Sequence, residues 1–251
     1  AKSYGNDNLM YGVPLFRHAL VVYCNNELMC NDGAKKNMRE WLMLYQKDSN
    51  KPSLLIDYEI SDWLLECLML QWNSRLYKNG RFDVHNESLL DVLSVLEKWK
   101  KEGLITISRG GDAAINSFRY QKFPLVISHS GGIGSLKKRV GNLFSWTTKA
   151  LPSFSGINRK TVYNGANLYL SKYMSQQERK EALRFLRYLY KSNTQRKIYE
   201  QVAAIPVVKN DFIGLPKELG FDGIKERILY DEIPAESCIE DTDAKVIKKM
   251  M

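Results

Sequence analysis

Apolar residues fall in short blocks separated by amphipathic stretches. Residues 19–24 (ALVVYC) are an unbroken apolar run with adjacent valines, the mark of a strand buried on both faces. Residues 32–46 place Met38, Trp41, Leu42 and Tyr45 at helical spacing and predict an amphipathic helix. A short strand is expected over 53–56 and a mostly buried helix over 61–77. The helix over 86–102 has the clearest punctuation. Asn86 stands at its N-cap, Leu89, Leu90, Leu93, Leu96 and Lys100 mark its turns, and Gly103 lies just past its end.

A helix over 112–121, a strand over 123–128 (FPLVIS), a helix over 135–140 and a strand over 143–148 follow. Residues 161–171 read as a strand interrupted at Asn164-Gly165. Ser175 and Glu178 make a capping-box pattern. The helix they open has an apolar face of Ala182, Leu183, Leu186, Leu189 and Tyr190, and a basic one of Arg179, Lys180, Arg184, Arg187 and Lys191. Residues 194–202 predict a last helix, and 205–208 (IPVV) an extended segment that Pro206 confines to an edge. From Asp211 onward the pattern is of helical pieces broken at Pro216, Gly220 and Pro234.

Strands alternating with helices predict an α/β architecture with mainly parallel strands. Such sheets take ligands beyond the carboxyl ends of their strands, so candidate chemistry is sought at the strand-to-helix turns.

Composition narrows the reading. The 251 residues are 44% apolar and 26% charged, which excludes collagen-like and wholly disordered chains. Lys and Arg number 37 against 28 Asp and Glu; the resulting +9 suits anionic partners without selecting one. No apolar run approaches the roughly 18–20 residues of a membrane helix. Residues 1–12 lack the basic start and apolar centre of a signal peptide. Cys24, Cys30, Cys67 and Cys238 follow no CxxC pattern, and His18, His85 and His129 no HExxH, so neither a metal nor a cofactor is expected.

Four segments could carry chemistry. Ser128-His129-Ser130-Gly131-Gly132-Ile133-Gly134-Ser135 follows a strand and opens a helix. Its glycines let backbone N–H groups converge, as in a cradle for phosphate, carboxylate or sugar oxygens, or they serve a plain turn. Arg17 and His18 precede the first buried strand and could reach an anion, or be a surface arginine and a structural histidine. Gly165 after Asn164 suggests a bulge or close backbone approach, or a simple turn. Trp63 and Trp72 point in different directions on their helix, so at most one faces a cleft.

The ordered set of segments resembles the extracellular solute-binding proteins of ABC sugar importers, most closely the glycerol-3-phosphate binders. The resemblance is carried by Tyr11-Gly12-Val13-Pro14 running into Val21–Leu28, by Trp63–Asn73, by Ser117-Phe118 through Gly131, by Val162–Leu170, and by Ala182–Leu189 followed by Gln195 and Ile205-Pro206-Val207. It implies a periplasmic-binding-protein-like α/β fold of two lobes with a ligand cleft, and no enzyme. It places lobe II at residues 18–162, a remainder of lobe I with crossing strands at 1–17 and 163–205, and a C-terminal helical segment at 206–251. Lobe I is then incomplete, since the family's opening strand–helix–strand unit has no counterpart before Ala1. Trp63, Ser130, Gly131 and Gly165 match ligand-contacting positions of the family; with Arg17, His18 and Asn164, from their own chemistry, they are the expected ligand contacts. The implied partners are glycerol-3-phosphate or a related carbohydrate and the membrane permease, for a periplasmic or extracytoplasmic monomer without nucleic acid.

A neutral-sugar binder of the same family is the nearest alternative. A basic nucleic-acid binder would use the basic helix face, but basic residues there alternate with acidic ones and no helix-turn-helix, zinc or RNP pattern occurs. A hydrolase using Ser130 lacks a base that spacing identifies.

Overall fold

The computed structural model describes residues 12–28, 37–45, 51–75, 77–78, 81–83, 85–110, 112–154, 161–202, 204–205 and 207. Its elements run β1 (Val13–His18), β2 (Leu20–Asn25), α1 (Met38–Tyr45), β3 (Leu54–Ile56), α2 (Ser61–Gln71), the short pair β4 (Tyr77–Lys78) and β5 (Arg81–Phe82), α3 (Glu87–Lys101), β6 (Ile105–Ile107), α4 (Ala113–Arg119), β7 (Leu125–His129), α5 (Ile133–Val140), β8 (Trp146–Ala150), β9 (Asn164–Leu168), α6 (Gln176–Leu189) and α7 (Ser192–Val202).

Five strands form one sheet in the order β6-β3-β7-β2-β8. Alternate side chains separate onto its two faces. Leu20, Val22, Cys24, Leu54, Ile56, Leu125 and Ile127 join one core with Leu42 of α1, Leu68 of α2 and Val92 and Trp99 of α3. Ala19, Val21, Tyr23, Leu55 and Val126 join a second with Phe118 of α4, Leu136 of α5 and Tyr199 of α7. Covering both faces is why residues 19–24 read as continuously apolar.

Strand direction departs from the expectation of mainly parallel pairing. β6, β3 and β7 are parallel, but β2 runs antiparallel to both β7 and β8. A doubly buried strand shows the same apolar run whichever way it points.

Several element boundaries also move. The helix expected over 61–77 stops at Gln71, because Asn73 takes a left-handed φ of 55°. The N–H groups of Asn73 and Ser74 then close onto the carbonyls of Leu70 and Met69, the asparagine form of the glycine stop. On α3, Asn86 caps the helix and Gly103, at φ 69°, ends it, as expected. The buried face, however, is Leu89, Val92 and Trp99, while Leu90 and Leu93 are exposed. The strand expected over 143–148 lies at Trp146–Ala150. Cys24 and Cys67 are buried free thiols; Cys30, Cys238 and the segment from Asp211 on lie outside the described residues.

β1 and β9 form a separate antiparallel pair. Of the strand expected over 161–171 only Asn164–Leu168 forms, beginning at the Asn164-Gly165 pair itself, and the ladder's irregularity falls on the partner, between Pro14 and Phe16. On its other side β1 meets Ile205, through Arg17 N–H to the Ile205 carbonyl and Ile205 N–H to the Arg17 carbonyl. Of the extended segment expected over 205–208, Ile205 thus docks on β1.

α6 opens with the expected capping box. Ser175 Oγ accepts from the Glu178 N–H, and the Glu178 carboxylate accepts from the Ser175 N–H. The latter bond holds the Glu178 carboxyl below its ordinary value. Of the expected apolar face only Leu186 is buried. Ser175→Ala is therefore expected to cost about 1 kcal/mol, read as faster amide exchange in the first turn of α6. Acid should weaken the same cap as pH falls through the carboxylate range, because the folded-state proton affinity is depressed.

Candidate functional site

The carboxyl end of β7 lies beside the start of β2, with His129 opposite Leu20. Ala19 alone separates β2 from β1, so the end of β1 arrives at the same place. Here the backbone turns through Ser130–Gly132 into α5. His18 and His129 bring their rings to 6.0 Å centroid separation, and Trp63 of α2 lies 6.4 Å from His129. Phe16 packs at 5.1 Å from His18.

Gly131 sits directly under this ring group. A Cβ there would stand 2.9 Å from His129 Nδ1 and 3.0 Å from His18 Cε1. Its lack of a side chain is therefore a matter of room for the two imidazoles. Gly132 is constrained from below, since a Cβ would meet the Tyr23 hydroxyl at 2.7 Å. That hydroxyl donates to the His129 carbonyl at 2.7 Å, and burial pushes its pKa well above the ordinary phenol value.

Ser130 is fully buried. His18 Nδ1 lies 3.2 Å from its Oγ, the pairing that activates a serine nucleophile. Yet the same Oγ accepts the Ala19 N–H at 3.3 Å, and the Ser130 N–H donates to the Ala19 carbonyl at 2.9 Å. Ser130 is thus built into the backbone rather than presented to a substrate. Its N–H is also spent, which removes it from the expected cradle of N–H groups.

Arg17 departs furthest from the expected grouping. Its guanidinium donates to the carbonyls of Phe16 and Ala166 and to Asn167 Oδ1, at 3.1, 3.3 and 2.9 Å. It runs along β9, while its neighbour His18 turns to Ser130, as alternate strand residues must. Asn164 and Gly165 lie across the ladder from His18 and Arg17 respectively. Asn164 Oδ1 accepts from the Gly165 N–H at 2.8 Å.

His18, Trp63, Ser130 and Gly131 therefore come together, with Asn164 opposite His18, while Arg17 is engaged elsewhere. Trp63 and Trp72 both pack, partly buried, against the same core, and Trp63 also reaches the chain entering β9, its Nε1 donating to the Val162 carbonyl at 2.8 Å. His129 was not singled out as a ligand residue from the sequence. The available signal was its place as the last residue of a strand before a glycine turn. Beneath it Asp57, itself buried, accepts from Ser128 Oγ at 2.9 Å. Among the described residues no group of three or more His, Cys, Asp or Glu could hold a metal ion.

Burial lowers the His129 pKa below its ordinary value, opposed by the carboxylates of Asp57 and Glu59. The unfolded chain then binds a proton that the folded chain resists. Stability should fall as pH drops below about 6.5, the ordinary imidazole value, toward the lower folded value. Urea midpoints at pH 7.5 and 5.5 should differ more for the wild type than for His129→Gln.

No protein-family model matches the chain, and no curated protein matches it in sequence. Solved structures match it in three dimensions. The sugar-binding protein MalE from the phytopathogen Xanthomonas citri superposes with a TM-score of 0.74 at 14% identity, over 99% of this chain and 65% of that one. The maltose/maltodextrin-binding domain MalE from Bdellovibrio bacteriovorus, bound to maltotriose, gives 0.67 at 15%, over 98% and 70%. UgpB from Mycobacterium tuberculosis, in complex with glycerophosphocholine, gives 0.64 at 14%, over 91% and 57%. The fold is periplasmic-binding-protein-like. The chain thus spans between 57% and 70% of the length of these three proteins. At such identities it is the fold that is shared.

Proposed function

We propose that the chain is the substrate-binding component of an ABC importer. It holds glycerol-3-phosphate or a related carbohydrate in a cleft and delivers it to the membrane permease from an extracytoplasmic location, as a monomer and without catalysis. In this reading residues 18–162 form one lobe, 1–17 and 163–205 belong to the other with the crossing strands, and 206–251 is a C-terminal segment. The observation that carries it is the convergence of His18, Trp63, His129 and Gly131 at the carboxyl end of β7, where β1 enters the sheet. Aromatic faces there suit the apolar faces of a sugar ring or polyol, and polar edges suit its hydroxyls. The ligands named for the structural neighbours, maltotriose and glycerophosphocholine, bracket the two chemistries.

One observation favours the neutral-sugar alternative. Arg17, the strongest cation near the crossing, is bonded along β9. A phosphate would then rely on backbone N–H groups at Gly131 and Gly132 and on the two imidazoles. Calorimetric titration with glycerol-3-phosphate, glycerophosphocholine and maltotriose decides between them. Trp63→Ala should weaken whichever ligand binds by about 1–3 kcal/mol, the scale for an aromatic anchor. His18→Ala should penalise the phosphorylated ligands more than maltotriose if the phosphate reading holds, because Arg17 is already bonded along β9. Absence of binding by all three probes at millimolar concentration would overturn the sugar and sugar-phosphate readings together.

A further inference from the structure

Among the described residues the chain passes between the β1–β9 pair and the five-stranded sheet at Ala19 and at Val162, and each of these residues has both of its backbone polar groups held. At the first, Ser130 takes both polar groups of Ala19: its Oγ accepts the Ala19 N–H and its N–H donates to the Ala19 carbonyl. At the second, α2 takes both polar groups of Val162. Trp63 Nε1 donates to the carbonyl at 2.8 Å, and Cys67 Sγ accepts the N–H at 3.3 Å. Trp63 and Cys67 stand one helical turn apart, so one face of α2 grips the peptide groups on either side of one residue. Thr161, also buried, closes the cluster, with its hydroxyl 3.3 Å from Cys67 Sγ and 3.4 Å from the Val162 carbonyl.

The packing changes over at the same point. Val162 packs against the core shared with α2 and α3, whereas Tyr163 is buried in the core on the opposite sheet face. Past these residues the chain enters a two-stranded ladder, where His18 pairs with Asn164 and Arg17 with Gly165.

We propose that Ala19 and Val162 are the two fixed pivots of the molecule, fastened by Ser130 and by Trp63 with Cys67. Any rotation of β1 and β9 against the sheet is then taken up on the ladder side of these residues. One of the fasteners, Trp63, is also a residue of the candidate cleft, and the other, Ser130, lies buried beneath it against His18 Nδ1. A ligand that touches Trp63 and His18 acts on Val162 directly and on Ala19 through Ser130. This coupling rests on the function proposed above; the fastening itself does not.

Backbone amide exchange without ligand tests the fastening. In the wild type the amides of Ala19 and Val162 should exchange slowly. Ser130→Ala should speed Ala19 by about five- to tenfold, the scale of one lost hydrogen bond, and leave Val162 unchanged. Trp63→Phe, which keeps a ring but loses the N–H donor, and Cys67→Ala, which leaves the cleft untouched, should each speed Val162 and leave Ala19 unchanged. The amides of Val22 and Ile127, in the sheet centre, report global loosening. Exchange at both pivots that rises together with Val22 and Ile127, or that stays at the wild-type rate in all three variants, would overturn the proposal. Saturating maltotriose or glycerophosphocholine, whichever binds the wild type, should slow both pivots together. Binding that moves neither would overturn the coupling. Absence of binding by either probe would count against the cleft reading and the coupling built on it, and would leave the fastening to the ligand-free data.

Discussion

Phe118→Ala is expected to remove about 3–5 kcal/mol of stability, the range for truncating a buried aromatic. Phe118 is fully buried at the hub of an aromatic group, 5.9 Å from Tyr23, 5.5 Å from Phe144 and 6.4 Å from Trp146. Its three neighbours belong to two strands and a loop, so no single element can move to fill the void. For a domain stabilised by about 5–15 kcal/mol, that loss is a large fraction of the whole. A urea titration followed by near-ultraviolet dichroism should show a much lower midpoint. A midpoint within experimental error of the wild type would mean that the aromatic group repacks.

The second large effect is at Gly165. A Cβ there would lie 2.1 Å from the Phe16 carbonyl oxygen and 3.0 Å from Arg17 Cα. Both are backbone atoms of the paired strand, and they cannot swing aside as a side-chain end would. Gly165→Ala is expected to force β1 and β9 apart and to cost about 3 kcal/mol, at the upper end for overpacking. The loss should be confined to the ladder: amides of Phe16 and Ala166 should exchange faster, while those of Val22 and Ile127 hold. Unchanged exchange across the ladder would show that the strands accommodate the methyl group.

How far this arrangement was legible in the sequence varies with the kind of signal. The helices with chemical punctuation, Asn86 to Gly103 and Ser175 with Glu178, lie where their caps place them, because a cap acts on its own few residues. The buried strand 19–24 was equally plain. Its direction was not, since an apolar run carries no arrow. The stop at Asn73 was readable in principle, but an asparagine in a mostly apolar helix competes with the packing around it. At the site, the chemistry of Trp63, His18 and the Ser130–Gly131 turn was readable separately, and only the family resemblance implied that they meet, because the meeting depends on three segments far apart in the chain. Arg17 was the costliest ambiguity. Sequence reveals a guanidinium, but only the register of β1 against β9 reveals the carbonyls waiting for it.

The central place of β2 has a consequence for how the molecule is made. β2 is synthesised well before both of its neighbours, β7 and β8. Tyr23 and His129, which share a hydrogen bond, are 106 positions apart. While the chain is emerging, β3 and β6 can pair, but the strand that completes the sheet must wait, apolar on both faces and with open edges. An interrupted nascent chain ending before Ala150 would present such an edge to every other copy. The order of the strands therefore leaves β2 without either sheet neighbour, during synthesis, until β7 and β8 have emerged.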